Sequence, residues 1–312
     1  MRAPPGRPRE RASAAFRHVE REPVAGADPL PRALELALRH YENFPVLSRL
    51  VPPELRDPFA AVYAFARATD DLGDEGSALP GERLAALDHW ERALDRVLAD
   101  GAREDGVPAA VGAAARLIRS RGLSPDPFRA LIEANRRDQL RSRYETLADL
   151  LESCALSANP VGRIVLALFG AGDPRLAGPA DALCTGLQLA NHWQGVGEDL
   201  RVRDRLYVPL EDLRRFGVAE DDLRRERPTR AVRDLLAFQL DRTRALLASA
   251  EVLPEAFPAA PRAVLRLFLR GGRAIVDELE ARAGDLLRSD VRVPRRRRLL
   301  DLAVEALTLA VR

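Results

Sequence analysis

Apolar residues recur every three or four positions along segment after segment of this 312-residue chain. In residues 80–98 the pattern is carried by Leu84, Leu87, Leu94 and Leu98, and this spacing places them on one face of a helix. Pro and Gly stand at most junctions between such segments, where they end helices. No segment alternates apolar and polar residues in the way that is typical of strands. The sequence therefore predicts an all-α fold.

The predicted organisation is a short tail followed by a single helical domain. Residues 1–28 are rich in Arg, Pro, Ala and Glu, a composition that predicts a disordered N-terminal tail before a domain at 29–312. No secretory signal and no charge-free apolar run near 20 residues is present, so we expect a cytoplasmic protein without a membrane span. The predicted helices are Pro31–His40, Pro53–Asp71, Pro80–Leu98 and residues 107–121, 125–142, 146–169, 173–199, 229–249 and 258–288.

Composition excludes some classes of function. The chain is 46% hydrophobic, which suffices for a core, and its formal net charge is only +2. A protein with a basic nucleic-acid groove would be more positive, so we expect no nucleic-acid partner. None of the 49 basic residues is Lys, which excludes Lys nucleophiles and Schiff bases. Cys154 and Cys184 lack metal-site spacing and are expected to be buried thiols in a reducing compartment.

An acidic cluster, Asp70-Asp71-Leu-Gly-Asp74-Glu75, ends the segment that begins at Pro53. Asp70 and Asp74 lie one helical turn apart, as do Asp71 and Glu75, so the carboxylates project from one side and repel each other unless a cation neutralises them. A solvated helix end is the simpler interpretation. The apolar run Tyr63-Ala-Phe-Ala-Arg67, which leads directly into the acids, favours a cation-binding site instead.

A second polar group lies about 120 residues later. Gln188, Asn191, Gly195 and Asp199 are three or four residues apart and form one stripe on a helix that is otherwise apolar. Buried polar groups need partners, an ion or a ligand, although a modest polar seam explains the pattern equally well. If the two clusters face each other, they can hold Mg²⁺ ions that in turn bind a diphosphate.

Several short motifs carry a resemblance. In chain order they are His40-Tyr-Glu-Asn43-Phe44-Pro45, Tyr63-Ala-Phe-Ala-Arg67-Ala-Thr-Asp70-Asp71-Leu-Gly-Asp74-Glu75, Ser157-Ala-Asn-Pro-Val-Gly162, Gln188-Leu-Ala-Asn191 and Arg205-Leu-Tyr207-Val-Pro209. In order and spacing, from about residue 30 to 290, they resemble the squalene/phytoene synthase family. The first motif and the form Asn191-His-Trp193-Gln194 resemble the bacterial hopanoid branch that makes hydroxysqualene.

The resemblance implies an isoprenoid synthase fold, a single helical domain around a central cavity, and roles for particular residues. Asp70 and Asp74 would coordinate Mg²⁺ with support from Asp71 and Glu75, and Asn191 and Asp199 would form the opposing metal site. Contacts to the substrate are implied for Tyr63, Arg67, Gln188, Arg205 and Tyr207, and closure of the entrance for His40 and Phe44.

The implied reaction converts presqualene diphosphate and water to hydroxysqualene and pyrophosphate, without NADPH. Head-to-head condensation of two farnesyl diphosphates is the alternative within the family. A non-catalytic binding or assembly protein is the alternative outside it, because the chain departs from the family pattern. Gly195 stands where a carboxylate is expected, Ser153 where relatives tend to have Tyr, and the link from Asp199 to Arg205 is one residue longer than usual.

The C-terminal segment allows two interpretations. Arg295-Arg-Arg-Arg298 precedes an apolar stretch, residues 299–311, with a narrow polar stripe at Asp301, Glu305 and Thr308. A final helix packed on the body is the simpler one. Docking on an anionic membrane surface would suit a lipid substrate, and would place the protein on the inner face of the membrane, near neighbouring enzymes of its pathway.

Overall fold

The computed structural model describes residues 51–100, 106–282 and residue 287. In these ranges no strand forms, and Arg143 and Leu206 make one isolated bridge, so the all-α prediction is confirmed. The helices are α1 (Pro53–Asp74), α2 (Pro80–Asp100), α3 (Ala109–Arg121), α4 (Asp126–Asp138), α5 (Leu147–Ser157), α6 (Asn159–Leu168), α7 (Ala177–Val202), α8 (Leu210–Phe216), α9 (Glu220–Leu223), α10 (Arg230–Ser249) and α11 (Ala259–Ala281), with 3₁₀ turns at Pro174–Leu176 and Pro254–Ala256.

The prediction of one helix over residues 146–169 was wrong. The chain forms α5 and α6 with a break at Ala158, because Pro160 in the first turn of α6 has no N–H to continue the helix from α5. The helix predicted over 125–142 ends at Asp138, and the residues after it pair instead with the loop after α7, where the Leu206 N–H donates to the Ser142 carbonyl at 2.9 Å. The short helices α8 and α9 were not predicted.

The core has two apolar clusters, one built mainly from the first helices and the other mainly from the later ones. The first surrounds Phe65 of α1 and includes residues of α2, α3 and α4. Trp90 belongs to it, and its indole N–H donates to the Thr69 hydroxyl at 3.0 Å. The second surrounds Trp193 of α7 and includes residues of α10 and α11. The acidic end of α1 therefore belongs to one cluster, and the polar stripe of α7 to the other.

Small residues let α7 pack closely against its neighbours. A Cβ on Gly162 of α6 would lie 2.6 Å from the Cys184 sulfur, and a Cβ on Gly186 would lie 2.8 Å from a Leu247 methyl. The buried Thr185 hydroxyl donates to the Asn159 side-chain oxygen at 2.9 Å. These contacts fix α7 against α6 and α10, and so fix the direction in which its polar stripe points.

None of the described helices is long and apolar enough to cross a lipid bilayer. The predicted tail at 1–28, the helix Pro31–His40 and the segment 295–311 lie outside the described residues.

Candidate functional site

The C-terminal ends of α1, α4 and α7 meet around Arg205. Its guanidinium donates to Asp74 Oδ1 at 2.6 Å and to the Asp138 carbonyl at 3.3 Å. Its backbone N–H donates to the Asp199 carbonyl at 3.1 Å. The acidic end of α1 and the polar stripe of α7 therefore border the same site, with the end of α4 between them.

Gly73 allows α4 to reach the acidic cluster. A Cβ at this position would lie 2.2 Å from Asn135 Oδ1, so only Gly leaves room for the Asn135 side chain. The Asn135 amide then donates to Asp70 Oδ1 at 3.0 Å, and Gln139 donates to the Gly73 carbonyl at 3.1 Å. Desolvation by the surrounding protein raises the pKa of Asp70 to about 6. The hydrogen bond from Asn135 opposes this shift, and the negative charge of Asp74 adds to it. The Asp70 residue is nevertheless exposed, so the surrounding protein displaces only part of its water, and the carboxylate stays accessible to a ligand.

Arg67 pairs with two other members of the first acidic cluster. Its guanidinium lies 2.7 Å from Asp71 and 2.5 Å from Glu75. This pairing explains why the Arg precedes the acids by one turn, and it sets Asp71 and Glu75 apart from Asp70, which accepts a hydrogen bond from the Asn135 amide.

We call the acidic end of α1 (Asp70, Asp71, Asp74 and Glu75) the α1 wall, and the polar stripe of α7 (Gln188, Asn191, Gly195 and Asp199) the α7 wall. The α7 wall carries a single carboxylate. Asp199 Oδ1 pairs with Arg203 at 2.9 Å, and its other oxygen lies only 2.8 Å from the place that a Cβ on Gly195 would take. The carboxylate is thus folded back over Gly195. Burial raises the pKa of Asp199, and the charge of Arg203 acts against that shift.

Asp138, at the end of α4, lies next to the Tyr144 hydroxyl, which is hydrogen-bonded to the Ser153 hydroxyl. Tyr144 is 2% exposed, and its hydroxyl lies 3.1 Å from the Ser153 hydroxyl and 3.5 Å from Asp138 Oδ1. Burial raises the pKa of Asp138 to about 6, opposed by the charge of Arg205 and reinforced by that of Asp74. Burial also raises the pKa of Tyr144 to about 12.

Tyr207 lies between two other rings. Its ring is stacked on His192 with the centroids 3.7 Å apart, and on Tyr144 with the centroids 5.9 Å apart. Burial lowers the pKa of His192 to about 3, which keeps the imidazole neutral. The neutral stack fixes Tyr207 two residues after Arg205, next to the polar stripe of α7.

The turn that carries Arg205 is held from two sides. Asp204 adopts a left-handed conformation with φ of 51°. Its carboxylate accepts hydrogen bonds from Arg143 and from Arg224, each at 2.8 Å. Arg143 is in turn anchored by Glu220 at 2.9–3.1 Å. This network fixes the backbone from which the Arg205 side chain reaches Asp74.

The structure places the remaining predicted residues on the same two helices. Tyr63 is half-buried on α1, Gln188 is half-buried on α7, and Asn191 is exposed on α7. His40 and Phe44 lie outside the described residues. Sequence analysis missed Asn135, Asp138, Tyr144 and Arg203. A signal for the first two exists, because Leu131, Asn135 and Asp138 share one face of α4, which puts polar groups on an apolar face.

The two walls differ in how well they suit Mg²⁺. No group of three or more His, Cys, Asp or Glu side chains in the described ranges is arranged to hold a metal by itself. Mg²⁺ bound with a phosphorylated substrate needs only one or two carboxylates, because waters and phosphate oxygens complete its shell. Asp70 and Asp74 offer two carboxylates one helical turn apart, although Asp74 also pairs with Arg205. The stripe of α7 offers only Asp199, which pairs with Arg203, because position 195 is Gly.

The sequence matches a known family and several of its members. The model of the family described as squalene/phytoene synthase matches residues 37–297. The chain is 32% identical to a 15-cis-phytoene synthase of Synechococcus elongatus over 89% of this chain and 92% of that protein. It is 36% identical to a hydroxysqualene synthase of Zymomonas mobilis over 66% of this chain and 67% of that protein.

Solved structures show the same fold. The squalene synthase HpnC of Alicyclobacillus acidocaldarius is 42% identical, with a TM-score of 0.74 over 81% of this chain and 94% of that one. A dehydrosqualene synthase in complex with a ligand is 23% identical, with a TM-score of 0.78 over 91% of this chain and 97% of that one. The isoprenoid synthase fold expected from the motifs is thereby confirmed.

Proposed function

Because the chain belongs to the squalene/phytoene synthase family, whose members are isoprenoid synthases, we propose that it converts presqualene diphosphate and water to hydroxysqualene and pyrophosphate. Hydroxysqualene synthases of Zymomonas mobilis and Sinorhizobium fredii are 36% and 33% identical to it. The motifs His40-Tyr-Glu-Asn43-Phe44-Pro45 and Asn191-His-Trp193-Gln194 also favour this branch.

The meeting of Asp70, Asp74 and Arg205 at the ends of three helices carries the proposal. Carboxylates that accept a divalent cation and a guanidinium that binds oxyanions are the two groups that a diphosphate requires. Arg205 is only 11% exposed, and although burial disfavours its charged form, the carboxylates of Asp74 and Asp138 raise its pKa. Its positive charge is therefore permanent.

In this proposal Asp70 and Asp74 hold Mg²⁺, with Asp71 and Glu75 orienting Arg67. Bound Mg²⁺ would supply positive charge to the departing pyrophosphate. Arg67 and Arg205 bind the phosphate oxygens and neutralise the charge that develops as the C–O bond breaks. Tyr63 and Tyr207 orient the diphosphate, and the electron pair of the broken bond leaves with it.

The rest of the site handles the carbocation. Gln188 and Asn191 line the substrate side of α7, and His40 and Phe44 close the entrance against bulk water. One water adds to the rearranged cation and loses a proton, which gives the alcohol. No hydride donor is needed for this outcome.

Two specific observations support other functions. Phytoene synthases of Arthrospira platensis and Synechococcus elongatus match 93% and 89% of this chain, which favours head-to-head condensation of two prenyl diphosphates as the second candidate. Gly195 and Ser153 depart from the family pattern, which favours a binding or assembly protein without catalysis as the third.

The test is incubation of the purified protein with presqualene diphosphate and Mg²⁺, and separately with farnesyl diphosphate and Mg²⁺. Hydroxysqualene and equimolar pyrophosphate from the first incubation are the expected result. A condensation product from farnesyl diphosphate alone would favour the second candidate. Absence of turnover in both, with a correctly folded protein, would favour the third.

For location we propose the cytoplasm, with peripheral contact to the inner face of the membrane through residues 295–311. This placement would bring the enzyme to its lipid substrate and to neighbouring enzymes of the pathway. Co-sedimentation with vesicles that contain anionic lipid, compared between the full chain and a variant in which residues 295–298 are changed to Gln, tests this part of the proposal.

A further inference from the structure

We propose that the diphosphate site is asymmetric: the α1 wall takes divalent cations, whereas the α7 wall binds phosphate oxygens directly through Arg203 and Arg205 and takes no divalent cation of its own. This proposal rests on the proposed function, because it assumes that the site binds a diphosphate.

The first argument is the position of the Asp199 carboxylate. One of its oxygens occupies the space beside Gly195, 2.8 Å from the place of a Cβ. The other pairs with Arg203 at 2.9 Å. The stripe therefore offers a single carboxylate, one oxygen of which Arg203 already holds, and the Asp199 side chain is only 19% exposed.

The second argument is charge. The described acids of the α1 wall, Asp70, Asp71, Asp74 and Glu75, have Arg67 as their cation on the same helix. That wall keeps an excess of negative charge, and a diphosphate can approach it only when cations intervene. On the α7 wall Arg203 pairs with Asp199, and the loop that follows carries Arg205, which reaches across to Asp74. These two guanidiniums give a diphosphate cationic groups to bind on this side without an intervening ion.

The third argument is geometry. Arg203 and Arg205 flank Asp204, whose left-handed backbone is held by Arg143 and Arg224. One residue of the pair contacts the α7 carboxylate, and the other contacts the α1 carboxylate Asp74. The two guanidiniums thus span the space between the walls. Guanidinium groups bind phosphate oxygens with two parallel hydrogen bonds. A divalent cation held by Asp199 alone would not bind the phosphate more tightly than these two guanidiniums do.

The test counts ions without any turnover. Purified full-length protein is titrated with Mn²⁺ in the presence of saturating inorganic pyrophosphate, and free Mn²⁺ is measured by electron paramagnetic resonance. Asp199→Asn is expected to leave the number of bound ions unchanged, whereas Asp74→Asn is expected to lower it by one. Gly195→Asp is expected to raise it by one, because the new carboxylate displaces that of Asp199 from its place beside position 195.

Matched variants separate charge from shape. Gly195→Asn displaces the Asp199 carboxylate to the same extent but adds no charge, and is expected to leave the ion number unchanged. Arg203→Gln is expected to weaken pyrophosphate binding about tenfold in EDTA, where no divalent cation contributes. Circular dichroism of each variant confirms that it is folded.

Two results would overturn the proposal. The first is loss of one ion in Asp199→Asn, and the second is pyrophosphate binding in EDTA that Arg203→Gln leaves unchanged. Either result would leave the proposed function intact: loss of an ion would make Asp199 a second metal ligand, and unchanged binding in EDTA would mean that groups other than Arg203 bind the diphosphate. Failure of the proposed function shows itself elsewhere, in the absence of turnover of both prenyl diphosphates.

Discussion

Arg205 and Asp74 form an ion pair of 2.6 Å, although they are 131 residues apart. The pair joins the loop after α7 to the acidic end of α1, and it lies in the half of the site that fits a divalent cation. A ligand that binds Asp74 through a cation must therefore also meet Arg205.

Asp74→Asn should lower the rate of product formation from presqualene diphosphate about a hundredfold or more, because it removes a carboxylate that holds the cation. Thermal unfolding should show only a small loss of stability, about 1 kcal/mol, since Arg205 keeps the Asp138 carboxylate at 3.9 Å. Asp126→Asn, on an 82% exposed side chain at the opposite end of α4 from the site, is the control for the substitution itself. An unchanged rate in Asp74→Asn would refute the assigned role.

Gly73→Ala should disrupt the contact between α1 and α4. Its Cβ would force the Asn135 side chain away from Asp70, at a cost of about 1–2 kcal/mol for the lost hydrogen bond. Gly271→Ala is the matched control: it lies inside α11 with no atom within 4 Å of the new Cβ, and should gain about 0.5–1 kcal/mol. Chemical denaturation measures both, and a Gly73→Ala protein as stable as Gly271→Ala would contradict the account.

Asp138→Asn should make the folded protein more stable at pH 8 than the wild type, and the difference should vanish as the pH falls towards 4. Burial raises the folded-state pKa of Asp138 to about 6 from its ordinary value of 3.8. The folded state therefore holds the proton more tightly than the unfolded state, and ionisation above pH 6 costs roughly 1–3 kcal/mol. Denaturation midpoints between pH 4 and 8 give the comparison. A variant less stable than the wild type at pH 8 would show that the charge of Asp138 stabilises the fold.

Asp204→Gly should weaken pyrophosphate binding several-fold with little change in melting temperature. Gly accepts the left-handed φ of 51°, so the substitution removes only the carboxylate that Arg143 and Arg224 bind. The Asp204 side chain is 71% exposed, which limits its contribution to stability. Asp204→Asn keeps an acceptor oxygen and tolerates the same backbone, so calorimetry should place it between the wild type and the Gly variant. Equal pyrophosphate affinity in all three proteins would show that the Asp204 hydrogen bonds do not determine the position of Arg205.

The sequence was most informative where a pattern is local. Periodicity of apolar residues predicted α1, α2, α3 and α10 to within a few residues, because one face of each helix packs on the core. The break between α5 and α6 at Ala158 was not predicted, because the apolar residues on its two sides continue in helical register. Pro160 was the available signal, since a Pro in a helix interior removes a hydrogen bond.

The site was predictable only as far as it depends on single helices. The acids of α1 and the stripe of α7 stand out in the sequence because their members are one turn apart. Asn135 and Asp138 join the site by crossing from α4, and that crossing depends on the absence of a side chain at Gly73. No pattern within one segment encodes a contact between two helices.

Three helix ends converge on a single guanidinium, and this has a consequence for how the protein opens. If α1, α4 or α7 frays at this end, Arg205 loses one of its hydrogen-bond partners. The anion site therefore depends on all three helix ends remaining folded. Ligand binding should therefore slow amide hydrogen exchange at all three ends together. Bound substrate would stabilise the whole end of the helical bundle against local unfolding.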